Sequence, residues 1–475
     1  MALARTRACR MAAPVDTARR AGRSATRLSL ALALLVGGCA GTTGPAATST
    51  PAPDPTRAAA TGEPSRPLRQ VLPNGLRLII QDHRAADIVA VYLYVGVGVR
   101  YERPEQLGYS HFQEHMLFKG TDKWGPGYID RAVEGVGGRT NATTSFDYTD
   151  FYIVVPTDAM EMALQTLADM AFRSTFDPAE VAREREVIFE EANIETDNPK
   201  SAILRQLYGM VFADNPYGYP VLGTRPTMTA ATSEILKAYN RQYYTPQNMT
   251  LVVVGPVDPV KVRAMVDRIW GGFPATGYKS PPAPEPRPLR GVVRRTVERP
   301  EQQAQLAMGW QAPRADNTDG DAVDLLTTIL AGTESSRLAR RLRDEERLVT
   351  GVTMSYSAQM GGGIASLRAE LEAKDLAQVE RIILEEIAKM QESGPTEEER
   401  QLAVTKFESQ HAFDTETSEG LANAYGLAET TWTLDAELGY VDRLRKITRE
   451  QIRDAARKYL SRDNHAVIAF TPRKS

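Results

Sequence analysis

The segment RQYYTPQNMTLVVV, residues 241–254, decides how the chain is organised, because a similar pattern, RKYLSRDNHAVIAF, occupies residues 457–470. Each copy reads as the end of a helix, a polar turn closed by Asn248 or Asn464, and an apolar strand. The two asparagines stand 216 positions apart. A repeat at this distance predicts two copies of one domain of about 200 residues, although two unrelated helix–turn–strand endings would look the same.

Proline separates the two copies. Six prolines fall between Pro274 and Pro288, and proline can continue neither a helix nor a central strand. We therefore interpret residues 274–290 as a linker between a first domain, residues 68–273, and a second domain, residues 291–475. Strand-like runs alternate with long stretches of helical periodicity in the first domain, and this mixture predicts an α+β fold.

Residues 1–38 differ in charge from the rest of the chain. They hold seven arginines and one aspartate, so that the remainder carries a formal net charge of −9 although the whole chain carries −3. Basic residues before a short apolar run are typical of a secretory signal, and the run is too short to span a bilayer. The following VGGC resembles a bacterial lipobox that would be lipidated at Cys39. An ordinary signal peptide with an incidental cysteine is the alternative.

The residues after this leader predict a protein anchored in the cell envelope. Residues 39–67 are rich in Ala, Thr, Pro and Ser and are expected to form a flexible tether. Ala40 next to the lipidation site favours the outer membrane, facing the periplasm, so the membrane would be contacted through the N-terminal lipid only. The acidic body argues against a nucleic-acid partner. Both cysteines lie in the leader region, so the globular part has no disulfide and no thiolate ligand.

Two of the five histidines form HFQEH, His111 to His115, the strongest chemical signal in the chain. Positions i and i+4 of a helix lie on one face, so both imidazoles can bind a single ion. Glu114 can reach the same place and take a proton from a water molecule. Two imidazoles and carboxylate oxygens suit a catalytic zinc ion, whereas a chance cluster on an amphipathic helix is the alternative.

The surroundings of this motif resemble the pitrilysin and mitochondrial-processing-peptidase family of zinc metallopeptidases, the inverzincins with the order HxxEH. GYSHFQEHMLFKGT, residues 108–121, is similar to the family's first motif, and EREVIFEE, residues 184–191, to its second. The resemblance implies that Glu191 is the third zinc ligand and that Glu184 supports the site. Independently of it, both glutamates lie on one stripe of a predicted helix, a pattern that a solvated charged helix also shows.

The resemblance also implies substrate contacts in the first domain. GGRTNATTS, residues 137–145, would form an edge strand beside the zinc, to which a peptide adds as an extra strand through backbone hydrogen bonds. Asn141 and Ala142 would then touch the bound peptide. The alternative is a Gly-rich turn that leads into a buried strand.

The second domain contains no paired histidines, so we expect one Zn²⁺ per chain. In related enzymes a second-domain Arg and Tyr hold substrate; Arg337 or Arg343 can fill the first role, or serve only in ion pairs. Thr350 stands where the family has Tyr, which a partner could supply. The resemblance implies two homologous α/β-sandwich domains of the processing-peptidase type, half of a clamshell. A homodimer, or a heterodimer with a related zinc-less subunit, would complete it.

Together these features predict a zinc metalloendopeptidase that hydrolyses oligopeptides or unfolded polypeptide segments, with Glu114 as the catalytic base. The alternative is a peptide-binding or assembly subunit that needs a partner chain for activity, which Thr350 and the lipid tether favour. A different zinc hydrolase on the same scaffold is the least favoured hypothesis.

Overall fold

The computed structural model describes residues 66–473, which belong to one compact unit. The predicted signal peptide, the lipidation site Cys39 and the predicted tether up to residue 65 lie outside the described residues. Within residues 66–473, no helix has both the length and the apolar composition that crossing a membrane requires.

The first half of the described chain carries six strands and eight α-helices. The strands are β1 (Leu68–Val71), β2 (Arg77–Asp82), β3 (Ile88–Val95), β4 (Arg139–Thr144), β5 (Thr149–Pro156) and β6 (Met249–Gly255). The helices are α1 (Tyr109–Leu117), α2 (Tyr128–Gly135), α3 (Met160–Arg173), α4 (Pro178–Asp197), α5 (Pro199–Val211), α6 (Arg225–Ala230), α7 (Ser233–Tyr243) and α8 (Pro259–Trp270).

The second half follows residues 274–290, which form neither helix nor strand. Its strands are β7 (Val292–Arg299), β8 (Ala304–Ala312), β9 (Val349–Ala358), β10 (Gly363–Leu371) and β11 (His465–Pro472). Its helices are α9 (Gly320–Ala331), α10 (Leu376–Ser393), α11 (Glu397–Asp414), α12 (Ser418–Thr431), α13 (Leu434–Leu438), α14 (Tyr440–Lys446) and α15 (Arg449–Tyr459), and a π-helix, Ala339–Glu345, precedes β9.

The two sheets share a five-strand topology, to which the first sheet adds β1 at its edge. The first has the strand order β1-β2-β6-β3-β5-β4 and the second β7-β11-β8-β10-β9. In the first sheet β6 lies parallel to β2, and in the second sheet β11 lies parallel to β7. The other pairings are antiparallel. The predicted α+β, two-domain fold is confirmed, whereas the limits proposed for each domain stay a prediction.

Strand β3 shows how each sheet is buried on both faces. Val89, Val91 and Leu93 pack into a core formed with helices of the first half, and the alternate residues Tyr92 and Tyr94 face the opposite side. This alternation follows from the period of two along a strand. Two separate layers must therefore cover the sheet.

The two halves exchange helices to provide these outer layers. Helix α12 comes from the second half and packs on β3 and β6 of the first sheet through residues such as Ala422 and Tyr425. Conversely, α5 from the first half packs on β8 and β11 of the second sheet through Ile203 and Leu207. Each sheet thus obtains part of its hydrophobic cover from the other half of the chain.

Candidate metal centre

Helix α1, which carries both motif histidines, begins at an unusual cap. Gly108 has φ = 89°, a left-handed conformation that glycine adopts without steric cost. It offers no side chain to the first turn. Instead, the buried carboxylate of Glu102 accepts hydrogen bonds from the backbone N–H groups of Gly108, at 2.7 Å, and Ser110, at 2.6 Å. This residue was not predicted, because its contact with α1 arises only from the fold of the intervening loop.

His111 and His115 lie one turn apart on α1, with ring centroids 4.7 Å apart. Helix α4 brings Glu191 opposite them. Its Oε2 lies 3.6 Å from Nε2 of His111 and 3.4 Å from Nε2 of His115. The three potential ligand atoms lie within 4.8 Å of one another, and residues 66–473 contain no other such group of His, Cys, Asp and Glu.

Glu184 contacts the far side of one of these imidazoles. Its Oε2 lies 3.1 Å from Nδ1 of His115, and its Oε1 forms an ion pair with Lys119 Nζ at 2.9 Å. A carboxylate on the second ring nitrogen orients a histidine ligand and increases its basicity. Lys119 was missed in the sequence, and it lies two residues beyond the end of α1, so that helical spacing does not mark it.

Their surroundings shift the pKa values of the two histidines in opposite directions. Burial and the nearby His115 lower the pKa of His111. Burial also acts to lower the pKa of His115, but hydrogen bonds to Glu184 and Glu191 outweigh it and raise this pKa to about 10. The same carboxylates would stabilise a metal cation between the three ligand atoms. Two imidazoles and one carboxylate are a donor set of catalytic zinc, with a fourth position left for water, so these residues fit the ion.

Glu114 points toward the end of strand β4. Its Oε2 accepts a hydrogen bond from the Thr144 hydroxyl at 2.6 Å. Burial raises the pKa of Glu114, against the lowering effects of His115 and of the Thr144 hydrogen bonds. A carboxyl with a raised pKa that lies beside a potential metal site is suited to accept and release protons.

The predicted substrate residues lie on an edge strand, as expected. Strand β4 pairs with β5 on one side and ends the first sheet, so that no described strand pairs with its other side. Ala142 belongs to the core beneath the sheet, whereas the side chain of Asn141 is exposed. The addition of a peptide to this edge stays a prediction.

Arg337 has partners within the second half. Its Nε and Nη2 donate to the Glu399 carboxylate at 2.7 and 2.6 Å, and Nη2 also donates to the carbonyl of Gly394 at 3.1 Å. Thr350 donates its hydroxyl to the carbonyl of Glu370 at 3.3 Å. A substrate contact of Arg337 stays a prediction, and it would require this guanidinium to share or exchange its present partners.

A two-sheet α+β scaffold with an HxxEH helix facing a second glutamate helix defines the class of inverzincin-like metallopeptidases. Residues 77–225 match the model of the insulinase family (peptidase family M16), and residues 230–407 match that of the peptidase M16 inactive domain. The chain belongs to peptidase family M16.

Known relatives agree with this assignment. An uncharacterized zinc protease of Bacillus subtilis is 28% identical over 408 residues, which cover 85% of this chain and 98% of the relative. An uncharacterized zinc protease of Rickettsia felis is 31% identical over 330 residues, covering 69% and 79%. These names support the class of zinc proteases for this chain.

Solved structures share the fold. A protease from Helicobacter pylori superposes with a TM-score of 0.81 at 22% identity, covering 86% of this chain and 99% of that chain. A peptidase M16 inactive domain from Pseudomonas fluorescens gives 0.80 at 19% identity, also covering 86% and 99%. At such identities the likeness shows the architecture alone.

Proposed function

We propose that this chain is a zinc-dependent endopeptidase that hydrolyses oligopeptides or unfolded polypeptide segments. The observation that carries the proposal is the convergence of His111, His115 and Glu191 within 4.8 Å, with Glu114 on the same helix turn. The relatives named zinc proteases support the peptidase class. Strand β4, which ends its sheet, supports an extended peptide as substrate.

Each residue has a distinct part in this mechanism. His111, His115 and Glu191 hold the ion, and Glu184 orients His115 through Nδ1. Zinc, when bound, supplies Lewis acidity toward the scissile carbonyl and lowers the pKa of water. Glu114 removes a proton from the attacking water and then delivers it to the leaving amine. The backbone of β4 aligns the peptide by adding it to the sheet edge.

Replacement of the base tests this proposal directly. Glu114→Gln keeps the three ligands, so zinc content should equal that of the wild type, whereas cleavage of quenched fluorescent peptides should fall about 10²- to 10⁴-fold. Chelation should abolish wild-type cleavage, and added zinc should restore it. Undiminished cleavage by the zinc-loaded Glu114→Gln protein would contradict the proposal.

A second candidate function is a peptide-binding or assembly subunit of a two-chain peptidase. The observations that favour it are the engagement of Arg337 by Glu399 and the presence of Thr350 where the family has Tyr. Light scattering combined with peptide cleavage by the isolated chain separates the candidates. An active homodimer excludes the need for a different subunit, whereas an inactive chain that gains activity from a related protein supports it.

We also propose that the protein is a lipoprotein of the cell envelope, tethered to the outer membrane and facing the periplasm. The VGGC sequence ending at Cys39 and the preceding basic and apolar residues support this location. Metabolic labelling with palmitate tests this location. Wild-type protein should be labelled and should sediment with membranes. The Cys39→Ser variant should carry no label and should not sediment with membranes. Unlabelled wild-type protein in the soluble fraction would contradict it.

A further inference from the structure

Thr144 contacts the proposed catalytic base, Glu114, from the end of strand β4. It is the last residue of β4 and is buried, with 4% of its surface exposed. Its Oγ1 lies 2.6 Å from Oε2 of Glu114 and 3.5 Å from the carbonyl oxygen of Ser110. A hydroxyl has a single proton to donate. The shorter distance and the carboxylate acceptor assign that proton to Glu114.

The backbone on either side of Thr144 is held firmly. Thr144 pairs with Thr149 in the ladder between β4 and β5. The Thr149 hydroxyl donates to the carbonyl of Val97 at 2.9 Å, and the Ser145 N–H donates to the carbonyl of Tyr148 at 2.9 Å. A β-branched side chain on such a strand has a restricted χ1. The donor hydroxyl therefore has a defined place relative to α1.

We propose that Thr144 is a positioning residue for Glu114. Its hydroxyl engages Oε2 of Glu114 and so fixes the orientation of the carboxylate that would accept the proton of the attacking water. Because Thr144 terminates β4, the same contact sets the base in register with the strand edge to which the peptide would add. This inference rests on the proposed peptidase function and assigns no metal contact to Thr144.

Four proteins separate a positioning role from a packing role: the wild type, Thr144→Val, Thr144→Ala and Thr144→Ser. Valine keeps the shape of threonine without the hydroxyl, and alanine and serine form a second pair that differs only by a hydroxyl. Each is prepared as the mature, zinc-loaded chain. Zinc per chain, thermal unfolding, kcat and KM for a peptide substrate are measured for each.

Loss of the hydroxyl should lower kcat and leave KM and the zinc content nearly unchanged. We expect Thr144→Val and Thr144→Ala to lower kcat about 10- to 100-fold, as a misplaced catalytic group does, with KM within about threefold and full zinc content. Thr144→Ser should keep kcat within about threefold of the wild type. If Thr144→Val does not fold, the difference in kcat between Thr144→Ala and Thr144→Ser tests the role of the hydroxyl.

Two results would overturn the inference. One is equal kcat in variants with and without the hydroxyl. The other is a loss of zinc or of thermal stability that accounts for the lost activity in both Ala and Ser, because it indicates a packing role only. A zinc-loaded wild type that cleaves no peptide is a different outcome, since it contradicts the proposed function itself and this inference with it.

Discussion

Glu102 illustrates how a single buried carboxyl can support a catalytic helix from outside it. It caps the first turn of α1 through Gly108 and Ser110, where a negative charge also interacts favourably with the helix dipole. Burial is the larger influence and raises the pKa of Glu102 to about 7, against the hydrogen bonds that lower it. Burial of this carboxyl therefore lowers the stability of the folded protein by an amount that depends on pH.

This pKa predicts a pH dependence of stability. Between the ordinary glutamate pKa of 4.5 and about 7, the folded protein keeps the Glu102 proton that the unfolded chain loses. The folded state then binds more protons, so the free energy of unfolding contributed by this group falls as pH rises through that window, by roughly 3 kcal/mol in total. Glu102→Gln should remove this slope.

Denaturant unfolding at several pH values between 4.5 and 7.5 measures the effect. The exposed Glu134, also in the first half, provides the matched control Glu134→Gln, which should leave the slope unchanged. An identical pH slope in the wild type and in Glu102→Gln would show that this carboxyl does not titrate as expected.

At the scale of elements, the contact between α12 and the first sheet depends on a glycine. A Cβ at Gly426 would lie 2.3 Å from Cδ2 of the Tyr94 ring, and Tyr94 is anchored by its hydroxyl, which donates to Asn423 Oδ1 at 2.6 Å. Neither partner can move far. The close approach of α12 to β3 therefore requires the absence of a side chain.

Gly426→Ala should destabilise the protein by about 1–3 kcal/mol through overpacking, in spite of the better helix propensity of alanine. The control is Gly135→Ala at the end of α2, where no atom lies within 4 Å of the added carbon. Denaturant midpoints of the two variants and the wild type give the comparison. A stability of Gly426→Ala equal to or above that of the control would contradict the packing argument.

At the scale of the whole molecule, corresponding turns of the two sheets meet at Asp147. The residue lies between β4 and β5 and forms a buried ion pair with Arg100 at 2.8 Å. Its Oδ1 accepts the Tyr217 hydroxyl at 2.8 Å, and its Oδ2 accepts the backbone N–H of Met360, between β9 and β10, at 2.9 Å. One carboxylate thus joins the two halves beside the strand that ends at Thr144.

Asp147→Ala should destabilise the folded chain by about 3–5 kcal/mol, because it leaves the Arg100 charge buried without its partner. Unfolding followed by both circular dichroism and tryptophan fluorescence should show this loss. Asp87→Ala, in an exposed loop before β3, is the control and should change stability by less than about 0.5 kcal/mol. A comparably small effect at Asp147 would contradict the importance of this ion pair for the contact between the two halves.

The exchange of α5 and α12 makes the halves interdependent. Each sheet would expose an apolar face without the helix from the other half, and exposing that face to water is unfavourable. This arrangement explains why a domain without paired histidines accompanies the domain that carries them: the second half covers the first sheet and braces the turn after β4.

The sequence by itself determined what depends on spacing within one element. The i and i+4 histidines, the alternation along β3 and the repeated α–β ending are periodic, and periodicity follows from local backbone geometry. The long helix bearing Glu184 and Glu191 is present for the same reason, whereas the edge strand β4 was implied by the family resemblance. The family resemblance added Glu191, 76 positions after His115, which spacing alone could not connect to the motif.

Only the tertiary structure decided which distant residues meet. The bonds of Glu102 to α1, Thr144 to Glu114 and Asp147 to Met360, like the exchange of helices, join segments whose approach depends on the packing of the whole sheet. No local pattern marks them, because a buried threonine or glutamate looks the same in sequence whether or not a partner from another element reaches it. Their physical origin is the need to pair buried polar groups once the hydrophobic core has set the positions of the elements.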